Sequence, residues 1–455
     1  MIINFRRILV LGFFALQFSC GQPEKKNNTT QEFPFTKENW KVENDDKTAA
    51  EIKTLDFKGK SSIKLEAGQK AYLQYKKFEN FKLEFYCSAL SGPGFGFRVQ
   101  DPQNFEYLYL RLGLSGKKDA LQYLPVHNGN LPWQLYNYPK YEGKANFPRE
   151  KVATLIADLK DELVEGIASE KLRNFLLEKG YPFSEKSEVI VGNETMCYIF
   201  DPEEMKALLF EEIEDEIMIL DPRTWIRIKV QVIGCSASFY IEDMKTPALV
   251  VENLKRNVAK GGISLIGDGA GVYFADISIT ELPVQKEPQS KLSKEKLSDK
   301  YLTKWGVSEM FTKDSVNFKN QIDSLFINKA IFKSIEADND GLLNISTFYD
   351  DMTKTVALSC TLESEVDKKV KLNFDYADHL VILLNSGIIF DKGMNFSPPV
   401  GKGEEGRVFV EDESVQLDLK KGKNQLIFML SADNRQKFNW GFVAKLESLE
   451  GIKKN

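Results

Sequence analysis

Across residues 119–136 the chain reads DALQYLPVHNGNLPWQLY, which crowds Asp119, Gln122, His127, Asn128 and Gln134 among Tyr123, Trp133 and Tyr136. Two chemistries suit that mixture. Proton transfer is the first. His127, one of two histidines in the chain, has the type of a general base, and Glu84, Glu106 and Asp119 are the carboxylates that would form a catalytic pair. Such a pair must sit about 5–5.5 Å apart in a retaining glycosidase, and a base must lie within hydrogen-bonding reach of its substrate. Recognition of a polyhydroxylated ligand is the second. Aromatic rings take the apolar C–H faces of a saccharide, while amides, carboxylates and guanidinium groups take its hydroxyls. Arg98, Tyr109, Arg111, Gln122, Trp133, Gln134 and Tyr136, with Tyr123 among them, supply that set. Both readings have a plain structural counterpart: His127-Asn128-Gly129-Asn130 has the composition of a tight turn, and buried sandwich aromatics look the same in sequence.

These residues sit in short alternating runs that predict strands: SSIKLEA, KAYLQYKKF, FKLEFYCSA, FGFRVQD and FEYLYLRL. In FEYLYLRL, Phe105, Tyr107, Tyr109 and Arg111 share one face, and Glu106, Leu108 and Leu110 the other. In DALQY the period of two places Asp119, Leu121 and Tyr123 opposite Ala120 and Gln122, so Gln122 and Tyr123 do not face one ligand from a regular strand. The style returns at WIRIKVQVIGCSASFYIED and GGISLIGDGAGVYFADISITEL. Strands joined by Gly, Asp and Asn turns, without alternating helices, predict an antiparallel sandwich.

Residues 148–221 differ in character. They carry 19 Asp/Glu against 8 Lys/Arg, whereas the whole chain carries a net charge of −5. Val152, Leu155, Ile156, Leu159 and Leu163 follow helical spacing, so EKVATLIADLKDELV is predicted as an amphipathic helix. KLRNFLLEK and DPEEMKALLFEEIEDE are predicted as helices too, the last with Asp201 as cap and Pro202 in the first turn. The segment is thus an expected acidic α-helical insertion, and an exposed apolar stripe on it would dock a protein partner. Residues 283–301, rich in Lys, Ser, Pro and Glu, predict a linker. From Trp305 a second β-rich region follows, with GLLNISTFY, KTVALSCTLES, KKVKLNFDYA and HLVILLNSGIIF.

The 455 residues, 42% of them hydrophobic, are enough for two or three cores. The net negative charge speaks against nucleic acid as main partner. Cys87, Cys197, Cys235 and Cys360 are widely spaced and free of CxxC or Cys/His clusters, which speaks against zinc and leaves isolated buried thiols as the expectation. Arg6 and Arg7, the apolar run 8–18 and Ser19-Cys20-Gly21 read as a signal peptide over 1–19. With Leu16 nearby, Cys20 resembles the cysteine of a bacterial lipobox. That resemblance implies diacylglycerol and an N-linked acyl chain such as palmitate on Cys20, with residues 20–33 as tether. The chain would then sit on a bacterial envelope membrane, the outer membrane in a Gram-negative cell.

Phe85, GFGFRVQD, FEYLYLRL, DALQYLPVHNG, WQLY, WIRIKV and VYFADISI together resemble a laminin-G/concanavalin-like jelly roll. The likeness is to bacterial relatives of the glycoside-hydrolase-16-like and 3-keto-disaccharide-hydrolase-like type, over residues 34–282. ADNDGLLNIS, FDYADHLVILLNSGIIFDKGMNF, LDLKKGKNQL and FNWGFVAKLE resemble a galactose-binding-like jelly roll over residues 302–450, with Asn385-Ser386-Gly387 as a scaffold hairpin. The resemblance implies an all-β protein of two antiparallel sandwiches that binds carbohydrate, or, as the alternative, a glycoside hydrolase on the same fold. Glu212–Glu216 (EIEDE) looks like the E-x-D-x-x-E signature of family-16 glycosidases, but Glu214 holds the central Asp position and a solvated helix end is expected. Asp338-Asn339-Asp340-Gly341 opens like a calcium loop, and the twelfth position falls on Tyr349, so an Asx-rich turn is expected. No cofactor is called for, and a structural calcium ion is neither excluded nor indicated.

Overall fold

In the strand Phe81–Ala89, residues 81, 83, 85 and 87 are buried while 82, 84 and 86 stay half-open, the period of two that a sheet with one face on a core requires. That pattern, repeated, builds an all-β molecule. The computed structural model describes residues 29–454 except 182, 185, 193–195, 201–204, 214, 284–296, 313–331, 395–405 and 432–438. Cys20 with the expected signal peptide, most of the expected tether and most of the expected linker lie outside the described residues, as do the expected Asp201–Pro202 cap and Glu214.

The first sandwich packs two antiparallel sheets. One runs in the order Leu249–Val251, Ser236–Ile241, Ile226–Ile233, Phe81–Ala89, Val272–Glu281, Lys60–Leu65, Thr54–Phe57, with Thr30–Glu32 added on Val272–Glu281. The other runs Glu142–Gly143, Leu121–Val126, Asn104–Leu110, Gly94–Asp101, Gly262–Ile266, Lys70–Leu73, Trp40–Glu43, Ala49–Ala50. Phenylalanines fill the space between them: Phe85 meets Phe95 edge-on at 5.2 Å, and Phe97 meets Phe239 at 6.0 Å. Each such ring removed from water contributes roughly 1.5–3 kcal/mol.

The second sandwich faces a seven-stranded sheet built around Thr355–Ser364 and Gly422–Ser431 with a four-stranded one built around Lys368–Tyr376 and Gly441–Leu446. Trp305, Phe374, Phe428, Phe442 and Trp440 form its core. The Asn385-Ser386 hairpin has positive φ at both residues, 47° and 71°, the mirror-image turn that matches the right-handed strand twist.

Residues 148–221 correct the helical expectation. They form a six-stranded antiparallel sheet in the order Glu150–Thr154, Glu216–Asp221, Met205–Ile213, Met196–Phe200, Glu188–Val191, Gly166–Ile167. EKVATLIADLKDELV is a strand followed by the 3-10 turn Ala157–Glu162, and EIEDE is the tip of a β-hairpin, with Glu212, Asp215 and Glu216 exposed. Of the predicted helices, KLRNFLLEK forms, as Glu170–Glu178, with the Ser169 hydroxyl accepting from the Leu172 N–H at 3.2 Å. Helix propensity is a weak preference of tenths of a kcal/mol per residue, and paired neighbouring strands override it here. The helix covers one face of the sheet through Leu172, Phe175 and Leu176.

Candidate functional site

The strands Asn104–Leu110 and Leu121–Val126 are buried on both faces, which decides the fate of the residues singled out above. Their outer face, carrying Phe105, Tyr107, Tyr109 and Gln122, turns toward the segment 131–141 and the second sandwich. Leu342, Ala377, Val408 and Val443 of that second sandwich share one apolar cluster with the first sandwich. Tyr109, Tyr107 and Phe105 lean over Gly92, Gly94 and Gly96, where any Cβ would come within 3 Å of a ring, so glycine is required for this close approach.

The polar groups of that face are spent on the seam between the sandwiches. Gln122 is fully buried; its amide donates to the Trp133 carbonyl at 2.7 Å and to the Tyr136 carbonyl, and its oxygen accepts from Arg111. Arg111 stacks on the Tyr109 ring at 5.4 Å and pairs with Glu142 at 3.2 Å. Arg407 from the second sandwich closes the group, 2.6 Å from Glu142, 3.5 Å from Asp119 and 4.7 Å from the Trp133 ring. Two guanidinium groups thus neutralise two buried carboxylates across the seam, with the Glu142 carboxylate also accepting from the Tyr138 N–H at 2.9 Å. Gln134 is fully buried against Asn439, and Tyr136 is 3% exposed, its hydroxyl 3.5 Å from Asn344. The WQLY segment, expected to touch a ligand, is instead an interface segment. Arg98 is buried too, in a left-handed backbone position (φ 49°), and its guanidinium donates to the Glu79 carbonyl at 2.9 Å and the Gly234 carbonyl at 2.5 Å, clasping one end of the two sheets.

The acid–base candidates do not converge. Glu106 points inward beside Leu108, with no exposure, accepting from the Tyr123 hydroxyl at 2.6 Å and the Arg256 N–H at 3.3 Å. Burial pushes its carboxyl up to about 7. Asp119 lies in the seam, and Glu84 lies on the outer face of the opposite sheet, paired with Lys82 at 2.8 Å and Arg227 at 3.2 Å. His127 sits in the expected turn, with Asn128 (φ 52°) and Gly129 (φ 76°) at its centre. The Arg256 guanidinium donates to its Nδ1 at 2.8 Å; burial, then that positive charge, depress the imidazole to about 3. A ring so placed stays neutral near pH 7 and is no proton acceptor through Nδ1.

Asp338-Asn339-Asp340-Gly341 is an Asx turn. The Asp338 side chain accepts from the N–H groups of Asp340 and Leu342 at 2.9 and 3.0 Å, and Gly341 takes φ 80°. Lys255 of the first sandwich reaches Asp338 at 2.8 Å and Asp340 at 2.6 Å, and Lys140 reaches Asp340 at 2.5 Å. These carboxylates serve the seam. Cys87, Cys197 and Cys360 are buried thiols outside any disulfide, and Cys235 is half-buried.

Open on the same outer face is a groove of about 570 Å³ at the far strands Trp40–Glu43, Lys70–Leu73 and Gly262–Ile266, bordered by residues 99–102. Trp40, Val42, Ala71 and Leu73 face the core, so strand alternation turns Lys41, Glu43 and Tyr72 into the groove. Tyr75, just past the strand end, has φ 57° and is 91% exposed. Lys41 pairs with Glu43 at 2.5 Å. Burial, then the negative charges of Glu43, Asp45 and Asp101, hold the Tyr72 hydroxyl up to about 12, so it remains a donor at any ordinary pH. Gln100 is fixed by donation to the Arg98 and Lys260 carbonyls at 3.1 and 3.0 Å. Sequence reasoning passed over these residues, although the alternation in KAYLQYKK already puts Tyr72 on the outer face.

No family model and no curated protein matches the chain. Among solved structures, domain 4 of AbnA, a GH43 extracellular arabinanase from Geobacillus stearothermophilus in complex with arabinotriose, is 9% identical over 54% of this chain and 84% of its own, at TM-score 0.27. The exoplasmic/lumenal domain of VIP36, in a Ca2+/Man3GlcNAc-bound form, is 8% identical over 58% of this chain and 94% of its own, at TM-score 0.26. A legume lectin-like domain from Entamoeba histolytica is 9% identical over 54% and 91%, at TM-score 0.21. Overlap this slight establishes neither a shared family nor a shared ligand.

Proposed function

We propose that this chain is a carbohydrate-binding lipoprotein of a bacterial envelope, held to the membrane through Cys20 and presenting the groove of Tyr72 and Tyr75 to a glycan. The observation that carries the reading is the exposed Tyr75 ring beside a protonated Tyr72 hydroxyl, the Gln100 side chain and the Lys41–Glu43 pair in one open groove. An aromatic face for sugar C–H groups next to mixed donors and acceptors is what a polyhydroxylated ligand requires. Glu84, Glu106 and Asp119, expected as a catalytic pair, lie on different surfaces and none lines the groove, whose own carboxylates are Glu43, paired with Lys41 at 2.5 Å, and Asp101; binding is the reading taken.

The test incubates the protein, starting after Cys20, with a panel of polysaccharides, following both retention on the glycan and release of reducing sugar. Retention without release, weakened roughly tenfold by Tyr75→Asn at unchanged thermal stability, supports the reading. Asparagine is chosen because it tolerates left-handed backbone. Release of reducing sugar, or retention indifferent to Tyr75, overturns it.

A further inference from the structure

The inserted sheet has one face too many. Helix Glu170–Glu178 and the 3-10 turn cover the side that carries Val189, Val191, Cys197, Ile199, Leu208 and Phe210, and those residues form a core separate from either sandwich. Strand alternation sends the intervening residues to the opposite side. There Ile190 stands beside Tyr198, Met196 beside Leu209, and Phe200 beside Met205, by direct cross-strand register. The Tyr198 and Phe200 rings lie 6.4 Å apart, confirming that they share this face.

On this face Ala207 and Leu220 are buried, Ile190, Tyr198, Leu209 and Met218 are half-buried, and Ile167 and Ile213 are exposed at 77% and 42%, so the face is left open in part. Phe200 is 43% exposed. Among the described residues, no strand of either sandwich belongs to the cluster behind it or pairs with its edges. A contiguous apolar face of this kind marks an interaction surface. Methionines at 196, 205 and 218 give it side chains that repack around a partner at little cost.

The charge around the face selects the partner. By the same register Glu188, Glu211, Glu216 and Lys151 stand on this side, at its margins; Glu211 is paired with Arg149 at 2.5 Å, which leaves the exposed Glu188 and Glu216 against the exposed Lys151. The whole insertion carries 19 Asp/Glu against 8 Lys/Arg. A second copy of the same face would bring like charges together, and an anionic membrane surface would be repelled. We infer that the free face of the inserted sheet docks a basic protein partner, one presenting an apolar strip flanked by Lys or Arg. The inference stands on the insertion alone and is independent of the groove reading.

A nine-residue peptide of alternating Lys and Leu serves as the probe, with its Glu/Leu counterpart as control, titrated against the protein starting after Cys20. The Lys/Leu peptide is expected to bind and the Glu/Leu peptide to fail. Phe200→Ser with Tyr198→Thr should weaken binding at least tenfold, and Glu188→Gln with Glu216→Gln, which alters only exposed side chains, should weaken it severalfold and flatten its salt dependence. Amide exchange of the strand Met196–Phe200 should slow when the peptide is bound. Failure of the peptide to bind, equal binding of both peptides, or binding untouched by Phe200→Ser and Tyr198→Thr each overturns the inference. So does binding that vanishes with the glutamates but protects no part of the sheet.

Discussion

Gln134 and Asn439 stand 305 residues apart in the chain and hold each other by two hydrogen bonds, the Gln134 N–H donating to Asn439 Oδ1 and the Asn439 amide donating to Gln134 Oε1, each at 2.8 Å. Both side chains have no exposure, so the pair is paid for entirely inside the seam between the two sandwiches. Asn439→Leu leaves a backbone donor and a side-chain acceptor of Gln134 buried without partners. Gln134→Leu likewise leaves two groups without partners, the Asn439 amide N–H and the Gly406 carbonyl. The expected loss is about 1–3 kcal/mol for each, read from urea denaturation. A double-mutant cycle should show coupling on the order of 0.5–3 kcal/mol, and strict additivity would contradict the pairing.

Arg407 is the bolt of the same seam. Arg407→Met keeps much of the bulk over Trp133 but strips Glu142 and Asp119 of their shared cation, leaving Arg111 alone against two carboxylates. Removing one partner of a buried pair typically costs about 3–5 kcal/mol, and that is the expected drop. Adding Glu142→Gln to Arg407→Met should recover part of it, because the uncompensated charge goes with the carboxylate. No recovery in the double variant would mean that packing, not charge, is what Arg407 supplies.

Two buried groups set opposite pH dependences. Glu106 is raised from 4.5 to about 7 in the fold, so its contribution is full below pH 4.5 and lost as the pH rises through about 7. His127 is lowered from 6.5 to about 3, so its contribution is full above pH 6.5 and lost as the pH falls through about 3. Between 4.5 and 6.5 the two oppose each other, and above 6.5 Glu106 acts without His127. The denaturation midpoint should therefore decline between about pH 6.5 and 8 in the natural protein and stay level over that range in Glu106→Gln. A decline that survives Glu106→Gln would assign it to another group.

Attachment at Cys20 has a direct readout. Cys20→Ala should move the protein from the membrane fraction to the soluble one, and metabolic labelling with a fatty acid should disappear from it, since acyl chains provide the anchoring free energy. Unchanged membrane association would remove the lipid anchor from the proposed function and leave the groove untouched.

What the sequence determined by itself is local. The alternation in FEYLYLRL put Glu106 on the opposite face from Tyr107 and Tyr109, as found, because strand geometry needs only neighbouring residues; which face turns inward it did not say. The turns at Asn128-Gly129, Asn385-Ser386 and Asp338–Gly341 were legible for the same reason: positive φ and Asx hydrogen bonds are properties of a few consecutive residues. Among the described residues the one α-helix, Glu170–Glu178, was legible in KLRNFLLEK, while its Ser169 cap was not singled out. Tertiary structure decided the rest. Residues 150–163 and 205–216 carry apolar residues at intervals that suit helix and strand alike, and only the partner strands that complete a sheet settle the choice. The polar and aromatic residues of WQLY and Arg111 have the types of a ligand site, and no local signal records that Arg407 and Asn439 arrive to cover them. A side chain's type states which interactions suit it; which partner occupies it depends on chain segments hundreds of residues away, brought there by the packing of two separate cores.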